Sequence, residues 1–299
     1  MKKCLICLIS MILFVGGCQS PDDSSVTQEQ VISIVPTVQS RAAMESGFKS
    51  GDQIGLFMLA RADVATPATL TAITGNYVDN VAYTLSADGV WATISKYYWK
   101  DADSPFDVVA YYPYTNMASS TSVKAASFEL GIDQSTEVAL RKSDFLYGTA
   151  NAVTYDNNST GIPLSMKHKM CKITVTLSLP ATVDLSTASF SIRNVAYSGT
   201  INFATGEVSS DIKTSNITPY YIADSKKLEC IVVPQELSVG SDLISVAYPD
   251  PSNANNIIRL AYSMSSRLQL VSGKEYNFAF TYTEANKIRT SLTVKDLNK

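Results

Sequence analysis

Histidine occurs once in this 299-residue chain, at His168, and that scarcity narrows the chemistry open to it. A Ser-His-Asp arrangement would have to be built around that one ring, yet no G-x-S-x-G elbow occurs, and Lys167 and Lys169 flank it. Neither G-x-G-x-x-G nor G-x-x-x-x-G-K-[ST] is present, so the common phosphate cradles are missing. His168 and Cys171 have H-x-x-C spacing, but Cys230 is the only other cysteine outside the first 18 residues that could help complete a closed zinc site. Asp101, Asp103 and Asp107 bracket a turn, but Pro105 stands where a calcium loop needs an oxygen ligand. No catalytic residue, metal or cofactor is therefore expected, and the chain does not read as an enzyme. A basic surplus is also lacking, with 24 Lys and Arg against 27 Asp and Glu, so nucleic acid is not an expected partner. Finally, no window holds an apolar 3.6-residue period for three turns. Helix should be short, with Ser135 to Lys142 the best place for it.

The first residues have a different character. Lys2 and Lys3 precede an apolar run from Cys4 to Gly17, shorter than the roughly 20 residues a membrane span needs. A cleaved export signal over residues 1–17 is the better reading. Val15-Gly16-Gly17-Cys18 resembles a bacterial lipobox, in which small residues admit the lipoprotein signal peptidase just before an acylated cysteine. Cys18 would then become a lipidated N-terminus; the competing reading is an ordinary secretory signal with an incidental cysteine. Ser20-Pro21-Asp22-Asp23 resembles the acidic tag of lipoproteins sent to the cell surface in the Bacteroidetes. Several acyl chains on one residue anchor firmly, since each buried methylene contributes roughly 0.8 kcal/mol. Residues 18–30 read as a polar tether.

Removing residues 1–17 takes Lys2 and Lys3 away and leaves a chain long enough for two domains. Cys4 and Cys7 leave with the signal, so Cys171 and Cys230 remain in the folded part, both in apolar strand-like runs. An exported chain permits a disulfide between them, and two buried thiols are as ordinary. Along this part the dominant period is two. Ile54 to Leu59, Phe106 to Tyr111, Lys172 to Leu179, Leu243 to Tyr248, Ile257 to Ala261 and Tyr276 to Tyr282 read as strands between turn signals such as Asp88-Gly89 and Ala204-Thr205-Gly206. The polar stretch NAVTYDNNSTG divides the chain into residues 31–160 and 161–299. The expectation is an all-β protein with two β-sandwiches in tandem.

Several runs then resemble one family in order and spacing. Phe48-Lys49-Ser50-Gly51-Asp52-Gln53-Ile54-Gly55-Leu56-Phe57 is similar to the opening of the Bacteroidales fimbrillins. Tyr98-Trp99, FDVVAYYPY over Phe106 to Tyr114, Ser143-Asp144-Phe145-Leu146-Tyr147-Gly148, and LSMKHKMCKITV over Leu164 to Val175 follow in that family's order. Looser matches come later, at Val233-Pro234-Gln235 and Gly273-Lys274-Glu275-Tyr276-Asn277-Phe278. The resemblance implies transthyretin-like, Greek-key sandwiches and a subunit of a cell-surface fimbria serving adhesion. It further implies that the lipid carries the precursor to the outer membrane, that a surface protease cuts after an arginine, and that a strand of another subunit replaces the lost leading strand.

On this sequence the matching positions are the leading segment Val31 to Val38, with Ile32, Ile34 and Val38 on one face, and Arg41 as the processing site. Pro36 marks an edge strand. Arg61 is a second candidate for exposure to a protease, but cutting there would damage the fold. Near the other end, Ile288, Thr290, Leu292 and Val294 share one face of residues 287–295, the candidate donor strand. The expected partners are other fimbrial subunits, membrane lipid through Cys18, and a receptor on a host or bacterial surface. The alternative is a surface lipoprotein that binds glycans or host proteins and never polymerises. Its sugar platform would be drawn from Tyr97, Tyr98, Trp99, Tyr111, Tyr112 and Tyr114, which core packing can equally claim.

Overall fold

The computed structural model describes residues 30–38, 47–283 and 287–298. Cys18 and Arg41 lie outside them. In the first part of the chain the strands are β1 (Ile34–Val38), β2 (Gln53–Ala60), β3 (Val78–Leu85), β4 (Trp91–Ala92), β5 (Phe106–Tyr112), β6 (Ala126–Glu129), β7 (Leu146–Val153) and β8 (Ile162–His168). There follow β9 (Cys171–Ser178), β10 (Ser189–Ala196), β11 (Ser198–Asn202), β12 (Glu207–Ser210), β13 (Thr214–Ile217), β14 (Tyr220–Ile222) and β15 (Lys227–Val232). The last are β16 (Gln235–Leu237), β17 (Asp242–Asp250), β18 (Asn253–Ser263), β19 (Leu268–Leu270), β20 (Lys274–Thr283) and β21 (Lys287–Asp296). Helix is confined to short pieces, among them α1 (Glu137–Lys142), capped by the Thr136 hydroxyl accepting from the Ala139 N–H. The all-β class holds.

One seven-stranded sheet, in the order β1-β8-β7-β5-β2-β3-β4, organises the first part. Its central strand β5 is buried at all seven positions. Phe106, Val108, Ala110 and Tyr112 enter one core, and Val109 and Tyr111 enter a second core on the other face. A strand with apolar matter on both sides reads as a continuous hydrophobic run. Tyr111, one of the aromatic residues that a sugar platform would need exposed, is therefore buried. Tyr111 also explains a glycine of the G-D-x-I-G run: it pairs with Gly55 on β2, and any Cβ at Gly55 would collide with its ring.

The polar stretch after β7 is not a boundary between sheets. Thr154 caps the short helix α2 (Tyr155–Asn158), Gly161 takes a positive φ of 121°, and β8 then returns to pair with β7 and β1. Residues 162–168 thus belong to the first sheet, although the division at 160/161 assigned them to the second portion. Polar composition marked a turn within a sheet, because a strand reversal needs the same residues as a linker. The portions are joined further on. β6 pairs with β11 in a three-stranded sheet, β12-β11-β6, and Phe57, Tyr111 and Phe145 share a core with Met170, Ile201, Phe203, Ile231 and Val233.

The second part is a two-layer sandwich. A five-stranded sheet, β14-β15-β9-β20-β21, faces a four-stranded sheet, β13-β10-β17-β18, across a core that includes Ile173, Val175, Val246, Tyr276 and Phe278. Cys171 and Cys230 are both in that core, and both are free thiols. Burial pushes each thiol's pKa well above the ordinary range. Thiolate is the reactive form, so maleimide should leave both cysteines untouched in the native chain and label both in denaturant. Mass spectrometry of the two samples checks this, and labelling of native protein would count against the described core.

Candidate assembly site

The leading segment is built into the first sheet along two seams. Along the first, β1 runs parallel to β8 from Ile34 opposite Ile162 to Val38 opposite Met166. The Ile162 N–H donates to the Ser33 carbonyl at 2.9 Å. Backbone groups alternate in direction along a strand, so residues 33, 35 and 37 face β8 and Pro36, which has no N–H, faces away. Along the second seam, Ile32 N–H donates to the Tyr97 carbonyl at 2.8 Å and Trp99 N–H to the Gln30 carbonyl at 2.9 Å. Residues 97–99 come after β4 in the chain, and Val31 and Tyr98 form an isolated antiparallel bridge there, outside the named strands. Its side chains obey the same alternation: Ile32 and Ile34 are only 2% and 5% exposed, Val38 is half-buried against that core, and Val35 is 49% exposed.

The family-like runs meet in a buried polar cluster beside this seam. Asp52, from the G-D-x-I-G run, forms an ion pair with Arg141 of α1 and accepts from the Tyr112 hydroxyl at 3.3 Å. Asp144, from the S-D-F-L-Y-G run, bonds the His168 ring, with Oδ2 2.6 Å from Nδ1. Burial disfavours the charged ring, but the Asp144 carboxylate outweighs it through charge and hydrogen bond, and His168 is raised above the usual histidine range. His168 Nε2 has no hydrogen-bond partner, and the residue is 2% exposed. His168 thus ends β8 as a buried partner of Asp144. Among the described residues no group of three or more His, Cys, Asp or Glu side chains is arranged to hold a metal.

Two other acidic and basic residues depart from their sequence reading. Asp101 does accept from Ser104 in an exposed turn, but Asp107 is buried and accepts from the N–H groups of Ala68 and Ala152. Its partner is Arg61, 3.3 Å away, whose side chain is 5% exposed and whose Nε donates to the Thr66 carbonyl. Arg61 is therefore no open protease site, because its guanidinium neutralises a buried carboxylate.

At the other end, β21 lies in its own subunit's sheet. It pairs antiparallel with β20 from Lys287 opposite Thr283 to Asp296 opposite Lys274, so β21 rather than β20 ends that sheet. Ile288 packs against the core and Thr290 is half-buried, while Leu292 and Val294 are 39% and 50% exposed. β21 is the edge of the sheet, and its inward-facing side is covered only at its start. The leading strand and β21 sit in different sheets. They are linked by a residue that sequence reasoning missed: Asn298, whose side-chain amide accepts from the His168 N–H at 2.7 Å and donates to the His168 carbonyl at 3.0 Å. Two more amides make the same clasp on backbone, Gln134 on Ile231 and Gln235 on Ala196. An amide side chain can complete a ladder where no strand fits, but nothing in its local sequence announces this.

Of the proposed aromatic platform, Trp99, Tyr111 and Tyr112 are buried, so core packing takes the larger share. Comparison with other proteins fits this architecture. Solved structures of two provisionally assigned cell adhesion proteins have similar folds, one from Bacteroides uniformis and one from Bacteroides ovatus. The first has a TM-score of 0.62 at 21% identity and covers 91% of this chain and 98% of its own. The second has a TM-score of 0.64 at 16% identity and covers 90% and 98%. A Bacteroides ovatus protein provisionally named fimbrium tip subunit Fim1C is 25% identical in an alignment of 256 residues that covers 76% of this chain and 44% of that protein. The chain thus spans less than half the length of that curated relative. A model of the family described as fimbrillin-like matches residues 40–296, nearly all of the folded part, and on that match the chain belongs to the fimbrillin-like family.

Proposed function

We propose that this protein is a structural subunit of a cell-surface fimbria that joins its neighbours by donor-strand complementation. In this reading it is exported as a lipoprotein, held in the outer membrane through Cys18, and cut after Arg41. Loss of the leading segment leaves the edge of β8 unpaired and opens the core that Ile32, Ile34 and Val38 had filled. A strand of another subunit then adds to that edge, with backbone hydrogen bonds giving affinity and alternate side chains giving fit. Residues 287–295, with Ile288, Thr290, Leu292 and Val294 on one face, are the candidate donor. Assembly serves adhesion, through a receptor on a host or bacterial surface. The observation that carries the reading is that residues 30–38 are hydrogen-bonded to β8 on one side and to the stretch 97–99 on the other, while Ile32, Ile34 and Val38 pack in the core of the first sheet.

The test is limited cleavage of the full chain by a trypsin-like protease, followed by N-terminal analysis and electron microscopy. Cleavage at Arg41 with Arg61 intact, followed by fibres, is the expected result. Protein fully cut at Arg41 that stays monomeric would favour the non-polymerising surface lipoprotein. The anchor is tested separately: Cys18→Ser should abolish incorporation of labelled fatty acid. A second reading of the same subunit has one observation in its favour, the ten-residue pairing of β21 with β20 inside its own sheet. In it the subunit accepts a strand and keeps its own, as a subunit at the end of a fibre would.

A further inference from the structure

The edge of β8 that receives β1 does not end at Met166. Ile162 points its N–H to β1, and direction alternates along a strand, so Leu164, Met166 and His168 present their backbone groups on that same edge. The first three positions are covered by the register from Ile34 to Val38. The fourth, His168, is taken by the side-chain amide of Asn298, which satisfies both its N–H and its carbonyl. By the parallel step, a strand running on past Val38 would offer its residues 39 and 41 to His168. It would meet Asn298 already there.

The arrangement that puts Asn298 in this place involves several elements. Leu297 is buried and donates its N–H to the Gly273 carbonyl at 2.8 Å, which seats the end of β21. Gly273 has a positive φ of 73°, and a Cβ there would collide with the Asn298 amide. Gly273 N–H in turn donates to the Met170 carbonyl, two residues beyond His168. His168 itself cannot shift freely, because its ring is held by Asp144.

We infer that Asn298 is a register stop on the strand-accepting edge, and that a bound strand reaching His168 and a seated residue 298 exclude one another. An occupant as short as the described β1 leaves the end of β21 in place. A longer occupant expels Asn298 and loosens β21. Filling the groove of a subunit would thereby prepare that subunit's own last strand to leave, which orders addition along a fibre. This rests on the reading of β8 as a strand-accepting edge.

The experiment uses the full chain with a protease site inserted between Ala42 and Ala43, cut and kept with both pieces together. Fluorescein-labelled synthetic peptides of residues 30–38 and 30–41 are then used to displace the resident segment. In the wild type the two peptides should compete about equally, since the bonds that the extra residues of the longer one make to His168 only replace those of the expelled Asn298. In Asn298→Ala the longer peptide should gain roughly tenfold over the shorter, as expected for about two added backbone hydrogen bonds. Asn298→Asp keeps an acceptor for the His168 N–H but loses the donor to its carbonyl, and should lie between. Hydrogen exchange in β21 should rise when the longer peptide is bound to the wild type at saturation, and not with the shorter. An unchanged ratio in both variants overturns the register stop and leaves strand acceptance standing. Failure of both peptides to displace the resident segment below the melting temperature overturns strand acceptance and the stop together.

Discussion

Ile34→Asp should lower the melting temperature of the uncut chain by roughly 10 °C, whereas Val35→Asp, one residue on, should scarcely change it. Ile34 faces the core of the first sheet at 5% exposure, and Val35 faces solvent at 49%. A carboxylate placed at Ile34 would enter the hydrophobic cluster that holds Ile162, Leu164 and Met166, so it must be buried among apolar side chains or pull β1 off β8. Either outcome costs on the order of 4 kcal/mol, and about 2–4 °C of melting temperature accompanies each kcal/mol in a chain of this size. Val35 keeps its hydrogen bonding to β8 whatever its side chain, so the pair of variants separates burial from strand formation. Equal melting of Ile34→Asp and wild type would show the segment to be a tether lying on the surface, and the groove would lose its physical basis. After the leading segment has been cut away, the Ile34→Asp and wild-type chains become identical and should melt together.

The second large effect concerns His168 and Asp144. Both side chains are 3% exposed, and removal of one partner of such a buried pair costs about 3–5 kcal/mol. Asp144→Asn should therefore destabilise the chain strongly at mildly acidic pH, and the difference should shrink as pH rises. The sign follows from the direction of the shift: His168 is raised above its ordinary 6.5 in the folded chain. Its contribution is complete below that ordinary value and is lost as pH climbs through the raised folded value. Other groups around the ring do not reverse the argument. Lys172 opposes the positive charge, but Asp144 outweighs it. Thermal melts of wild type and Asp144→Asn between pH 5.5 and pH 9 check the prediction. A gap that stays constant across that range would mean that the pair acts through packing alone, with the ring neutral throughout.

What could be read from sequence follows from how local each feature is. The inward face of β5 was legible because Phe106, Val108, Ala110 and Tyr112 alternate, and a short helix was placed at Ser135 to Lys142, where α1 lies. The second buried face of β5 was not, because nothing local tells whether Val109 and Tyr111 meet water or another sheet. The cover over Tyr111 comes from Phe203, 4.7 Å away between ring centres and far along the chain. The site divides in the same way. Ile32, Ile34 and Pro36 declare an edge strand by type and parity, whereas the partners of Asp52, Asp144 and Asp107 are set by tertiary folding. Charge alone left those three as exposed or unassigned. Asn298 is the extreme case, since its role exists only where β21 ends beside β8.

The placement of β1 also says something about time. The strand made first pairs with β8, and the core it seals cannot exist until β2, β5, β7 and β8 have been added. The second sandwich is later still, because its central strand β9 needs β20 at its side, and Thr174 finds Glu275 101 residues further on. Pairings of such long sequence separation fold slowly, on the scale of roughly milliseconds to seconds for β-rich domains, since loop closure precedes the contacts that reward it. The first core must therefore wait until β8 has been made, and the second until nearly all of the chain has. During that wait the leading segment is a free competitor for any unpaired edge, its own or a neighbour's, and at high concentration the first encounters decide between closed monomers and exchanged ones.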